Sequence, residues 1–166
     1  MARYDKAIAP LLATPLTADD AAALRDAVNS YAAGKSQDGD GQRARIANPV
    51  AAKIAGWYRL RSGLGTPADY RAFLDQNPAW PDRRLLAQRM EEALLAGGGS
   101  PAEIRAAFAK GGPDHAAGFA ALASAALLEG KKDEAQRYAS KAWRDLTLAA
   151  KFEKGFLERF GALLTL

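Results

Sequence analysis

The 166-residue chain has no cysteine, so disulfide frameworks, thiolate zinc sites and cysteine nucleophiles are excluded. The redox compartment stays open. β-Branched residues are scarce: two Val, four Ile and five Thr. Sheets draw on β-branched and aromatic side chains, so a sheet-based nucleotide-binding domain is not expected. No apolar run approaches the roughly 18 residues that a bilayer span needs. The first twenty residues are broken by Pro10 and Pro15 and lack the apolar core of a cleavable export signal. Either the protein is cytoplasmic, or Met1 stands where such a signal has been removed. Basic residues never run beyond pairs such as Arg83–Arg84 and Lys131–Lys132. The net charge of +4 is spread along the chain, which suits a solvated surface facing an acidic polymer better than a nucleic-acid arm.

Alanine is abundant, with 39 residues, and it is the best helix former. With 49% hydrophobic and 25% charged residues the chain is globular, and an all-α fold follows. Pro49, Pro81 and Pro113 are each 32 residues apart, a period typical of helix–turn–helix repeats. Helices are expected at 19–33, 40–47, 49–62, 67–76, 82–96, 101–109, 114–129, 131–145 and 150–164, with a short one at 4–12. Thr17 with Asp20 and Ser100 with Glu103 read as capping boxes. Asn48–Pro49 and Thr66–Pro67 place a capping side chain before a first-turn proline. Gly34, Gly63, Gly97–Gly99, Gly111–Gly112 and Gly130 supply stops.

Apolar residues recur at helical spacing. Val50, Ile54, Trp57 and Tyr58 form one stripe, and Leu86, Met90, Ala93 and Leu94 another. Ala135, Tyr138, Ala139, Ala142 and Trp143 form a third, and Phe152, Phe156, Phe160 and Leu163 a fourth. The 114–129 helix carries small residues around most of its circumference, as expected of an inner helix contacted on several sides. The segment Leu127 to Ala135 that follows resembles a tetratricopeptide turn. Stacked helix pairs give a curved solenoid with an extended concave face.

Residues that could carry chemistry are few. His115 is the only histidine, and Pro113–Asp114–His115 reads as a first helical turn with Asp114 favoured by the helix dipole. Glycoside chemistry needs two carboxylates across a bond. Glu91 and Glu92 project about 100° apart on a helix and, beside Gln88 and Arg89, read as a solvated face. Glu153 and Glu158 also read as surface residues. Gly97–Gly98–Gly99–Ser100 lacks the preceding strand and following Gly-Lys of a phosphate loop. Ser36 to Gly41 looks superficially like a calcium loop but lacks its twelfth-position glutamate, and reads as a tight acidic turn. No cofactor or metal is expected. Trp57, Tyr70 and Trp80 are the candidates for stacking on sugar rings, with core packing the default for aromatics on these stripes. Trp80, off any stripe, is expected to wedge between successive helix pairs.

Several segments taken in order carry a resemblance. They are Asn48–Pro49 with Trp57 and Leu60–Arg61, then Phe73–Leu74 with Asn77–Pro78 and Trp80–Pro81. Leu127 to Ala135, Ala142–Trp143–Arg144 and Glu153 to Thr165 follow. Over about residues 45–166 this series resembles the amino-terminal superhelical region of soluble lytic murein transglycosylases. The resemblance implies a periplasmic location and a right-handed α-superhelix of stacked helix pairs. It implies a scaffold that holds peptidoglycan glycan strands while a separate lysozyme-like domain cleaves the MurNAc–GlcNAc bond to a 1,6-anhydro product. The family's catalytic glutamate sits in a Glu-Ser motif, and none of the seven glutamates here is followed by Ser. Residues 1–166 are therefore expected to be one non-catalytic solenoid segment without that domain. The alternative is a tetratricopeptide-like adaptor for a protein or peptide partner. Self-association through an uncapped solenoid end is plausible on the same grounds.

Overall fold

The computed structural model describes residues 15–97, 99–109, 111–145 and 150–164. The helix expected at 4–12 lies outside them. Among the described residues the fold is all-helical, with no strand. The chain divides into two compact units at Gly65/Thr66.

The first unit holds α1 (Ala18–Ala32), α2 (Ser36–Arg43) and α3 (Pro49–Arg61). Its core joins Ala23, Ala27 and Tyr31 of α1 to Ile46 and to Ala51 and Ala55 of α3. Thr17 caps α1 by accepting from the Asp20 N–H at 3.0 Å. Asp20 does not return the bond as a capping box would. Its buried carboxylate accepts from the Ala47 N–H at 2.7 Å, fastening the loop before α3 to the start of α1. Asn48 caps α3 as expected, accepting from the Val50 and Ala51 N–H groups.

One expectation fails here. Ser36 to Gly41, read as a tight turn, is the body of α2, and the helix placed at 40–47 ends at Arg43. Of the two glycines in that stretch, Gly41 faces open space and Gly39 serves packing. A Cβ at Gly39 would collide with the Tyr31 ring, so only glycine lets α2 lie against α1 there. The Tyr31 hydroxyl donates to Asp40 at 2.8 Å, and Arg59 meets the same carboxylate at 3.1 Å. Burial, then the Asp40 hydrogen bond and charge, push the Tyr31 phenol above the usual tyrosine range.

The second unit holds α4 (Pro67–Gln76), α5 (Arg83–Gly97), α6 (Pro101–Ala107), α7 (Ala116–Leu128), α8 (Lys132–Asp145) and α9 (Ala150–Phe160). A 3-10 turn at Gly161–Leu163 ends α9 earlier than the expected 164. Thr66 with Asp69 and Ser100 with Glu103 form complete capping boxes. Gly130, at φ +74°, reverses the chain between α7 and α8, a conformation that costs other residues a Cβ clash.

The inner-helix expectation for α7 is met. Ten of its thirteen residues are buried. Ala116, Ala120, Ala123 and Ala126 pack with Ala135, Ala139 and Ala142 of α8 and with Phe156, Phe160 and Leu163. Ala121, Leu122 and Ala125 pack with Leu94 of α5 and Ile104 of α6. Alanine facing alanine lets helix backbones approach closely. The phenylalanines of α9 then close that layer, each contributing about 1.5–3 kcal/mol by burial. Trp143 stacks on Phe156 at 5.5 Å, and with Leu157 it leaves apolar surface exposed. Among the described residues no helix is long and apolar enough to cross a membrane.

Candidate functional site

The three candidate sugar-stacking aromatics are not equivalent. Trp57, half-buried on α3 in the first unit, meets Tyr58 edge-on at 5.2 Å. The Arg61 guanidinium lies 4.9 Å from the Trp57 ring centroid, over one face. Tyr70 on α4 is wholly buried in the second unit and offers no ring face to a ligand. Trp80, half-buried in the turn between α4 and α5, packs edge-on to Phe73 at 5.8 Å.

The carboxylates hold the larger surprise. Glu91 and Glu92, expected on a solvated face, are both buried. Glu92 is held by Arg89 at 2.7 Å and Gln88 at 3.2 Å, so the polar neighbours shield it rather than mark exposure. Glu91 reaches across from α5 to the start of α7. Its two oxygens accept from the N–H groups of Asp114 (3.0 Å), His115 (2.9 Å) and Gly118 (3.1 Å). His115 is not in the first turn, as expected, but is the N-cap residue, and its own side chain makes no cap bond. The free N–H groups at a helix start favour negative charge. Here a carboxylate from another helix supplies it, in place of Asp114. Gly118 makes room, because a Cβ there would lie 2.5 Å from Glu91 Oε2 and from Pro113.

The same Glu91 fixes the imidazole. His115 Nδ1 lies 3.2 Å from Glu91 Oε1. A carboxylate can only accept, so Nδ1 carries the proton and donates. The ring is 19% exposed. It lines a depression of about 500 Å³ together with Leu74, Arg83, Arg84, Ala87 and Asp114. Arg83 is steadied there by donating to the carbonyls of Leu74 (2.7 Å) and Asn77 (2.9 Å).

Two other features stand out in the second unit. Arg105 of α6 forks onto Glu129 at 2.6–3.1 Å and Glu134 at 3.0–3.1 Å, and Lys131 adds a contact to Glu129 at 2.8 Å. Hydrogen bonds from Arg105 and Lys131 pull the Glu129 carboxyl down to about 2. The Arg105 hydrogen bond also lowers Glu134. This network joins α6 to the α7–α8 turn. A groove of about 410 Å³ lies among α4, α5 and α6, lined mainly by Ala, Gly and Leu94, with Arg71 and Glu103 as its charged residues. Ser100 already occupies Glu103, holding its carboxyl below the usual range.

Sequence reading missed both the Glu91–His115 pair and the Arg105 fork. Their partners lie 24 to 29 residues apart, on different segments of the chain, and no local pattern links them. Among the described residues no three His, Cys, Asp or Glu side chains gather as metal ligands. No family model matches the chain, and no curated protein or solved structure matches it.

Proposed function

We propose that the chain is a non-catalytic scaffold and peptidoglycan-docking segment of a periplasmic lytic transglycosylase. In this reading its helix pairs stack as a right-handed, tetratricopeptide-like superhelix. The reading rests on the ordered sequence resemblance together with one surface. On α8, Arg137, Lys141 and Arg144 recur at i, i+4 and i+7 and are exposed, so they share one helix face. With Gln136 and Ser140 they line a shallow depression of about 410 Å³. Such a stripe suits a polymer bearing many carboxylates, as peptidoglycan stem peptides do.

The test is co-sedimentation with purified sacculi. Binding that falls with salt, and is lost when Arg137, Lys141 and Arg144 are all changed to Glu, supports the proposal. Equal pelleting of the triple variant, or none by the parent protein, removes the docking role. The apolar groove among α4, α5 and α6 favours the alternative, an adaptor for a peptide partner. Capture of one stoichiometric protein without sacculus binding would select it.

A further inference from the structure

We propose that the depression in front of His115 is a binding site for inorganic phosphate in its hydrogen-bearing forms. The proposal is independent of the scaffold reading and involves a different surface.

The groups around this depression are already fixed in place. His115 is pinned through Nδ1 by Glu91, whose side chain is only 4% exposed. Both Glu91 oxygens are occupied by three backbone N–H groups besides the imidazole. The carboxylate is thereby consumed inside the fold, and the ring is held in one orientation. Its other nitrogen, Nε2, has no hydrogen-bond partner among the described residues. Arg83 is held likewise, because one guanidinium nitrogen spans two carbonyls and the rest of the fork has no partner among the described residues. Arg84 is exposed and shows no ion pair or hydrogen bond to another described residue. A groove lined by two guanidiniums and an oriented imidazole attracts an oxyanion, and groups held in place beforehand lose little freedom on binding it.

Asp114, on the same lining, narrows the choice. A fully ionised oxyanion such as sulfate meets only repulsion from it. Inorganic phosphate near neutral pH keeps a hydroxyl that can donate to that carboxylate while its other oxygens accept from the arginines, whereas a phosphate monoester is mostly fully ionised. A simple carboxylate has no such proton to offer. Charge alone would admit any of these anions. The mixed lining favours the one that is both donor and acceptor.

His115 is the only histidine in the chain, so its imidazole Cε1–H gives a single assignable proton NMR signal. The titration uses the full chain with inorganic phosphate, sodium sulfate, sodium acetate and sodium chloride, each at fixed pH and matched ionic strength. The expected result is a saturable shift with phosphate and a small, unsaturable one with the other three. Arg84→Gln, checked for fold by circular dichroism, should weaken phosphate binding by roughly tenfold. Lys154→Gln, at an exposed position on α9 that lines neither depression, should leave it unchanged. A phosphate response no different from chloride overturns the site. Sulfate or acetate binding as tightly as phosphate overturns the choice of ligand. An unaltered affinity in Arg84→Gln overturns the role given to the arginines.

Discussion

Replacing Glu91 by Ala tests the account of the second unit most directly. The substitution removes the acceptor for three backbone N–H groups and for the His115 ring. The Gly118 bond is fully buried, so water cannot replace it cheaply. An unsatisfied buried donor costs roughly 1–3 kcal/mol. Losing the helix cap costs about 1 kcal/mol more. Water reaches the half-exposed start of α7 and recovers part of the remainder. The expected loss is about 3 kcal/mol. A unit of this size has a urea m-value of about 1.5 kcal/mol/M, so the midpoint should fall by roughly 2 M. Glu91→Gln keeps one carbonyl oxygen and should lose about half as much. Glu153→Ala, on the exposed side of α9, should stay within about 0.5 kcal/mol of the parent. Amide exchange supplies a local check: the Gly118 N–H should lose protection in Glu91→Ala beyond the global change. If Glu91→Ala unfolds within 1 kcal/mol of Glu153→Ala (a threshold of about the precision of such data), the carboxylate cap is not holding α7.

Further tests address other contacts. Gly118→Ala should destabilise by about 1–3 kcal/mol, and by less in the Glu91→Ala background, because one of the two clashing groups is then gone. The Glu129 carboxyl is lower in the folded state than its ordinary value of 4.5, so it contributes stability above that value, lost as pH falls toward about 2. Arg105→Gln should therefore flatten the acid limb of a plot of urea midpoint against pH, and an unchanged limb would show that the fork is not its source. Gly39→Ala should cost about 1–3 kcal/mol through the Tyr31 ring, and Tyr31→Phe about 1 kcal/mol through the lost Asp40 bond, both readable by thermal unfolding. In ultraviolet titration, Tyr31 should ionise at higher pH than free tyrosine, and ionisation alongside it would contradict its burial.

The helices were largely legible in the sequence, because their ends are written locally. Ser100 with Glu103 and Thr66 with Pro67 sit where they cap. Gly130 stops α7 two residues after its last helical residue. The all-alanine face of α7 announced burial on several sides, and the packing agrees. Legibility failed where a residue's role is set by another helix. Gly39 and Gly41 signalled a turn by local rules, but Tyr31 uses Gly39 as a packing gap. Glu91 and Glu92 looked solvated because their sequence neighbours are polar. Their actual partners, the start of α7 for one and Arg89 for the other, satisfy charges that would otherwise stay in water. Tyr70 was visible as an aromatic, but only three-dimensional packing shows that no face of it is open.

The composition of α7 has a consequence for how its place in the fold is stabilised. Alanine and glycine, eight of its thirteen residues, have no side-chain rotamers to freeze, so immobilising them sacrifices almost no side-chain entropy. Each of those residues also hides little area, and the driving force must come from the longer side chains laid over it, Phe156, Phe160, Leu94 and Ile104. The centre of the unit is thus a stiff rod whose grip resides in its surroundings. Trimming a phenylalanine of α9 should loosen the helix it covers more than changing any one of that helix's alanines to glycine.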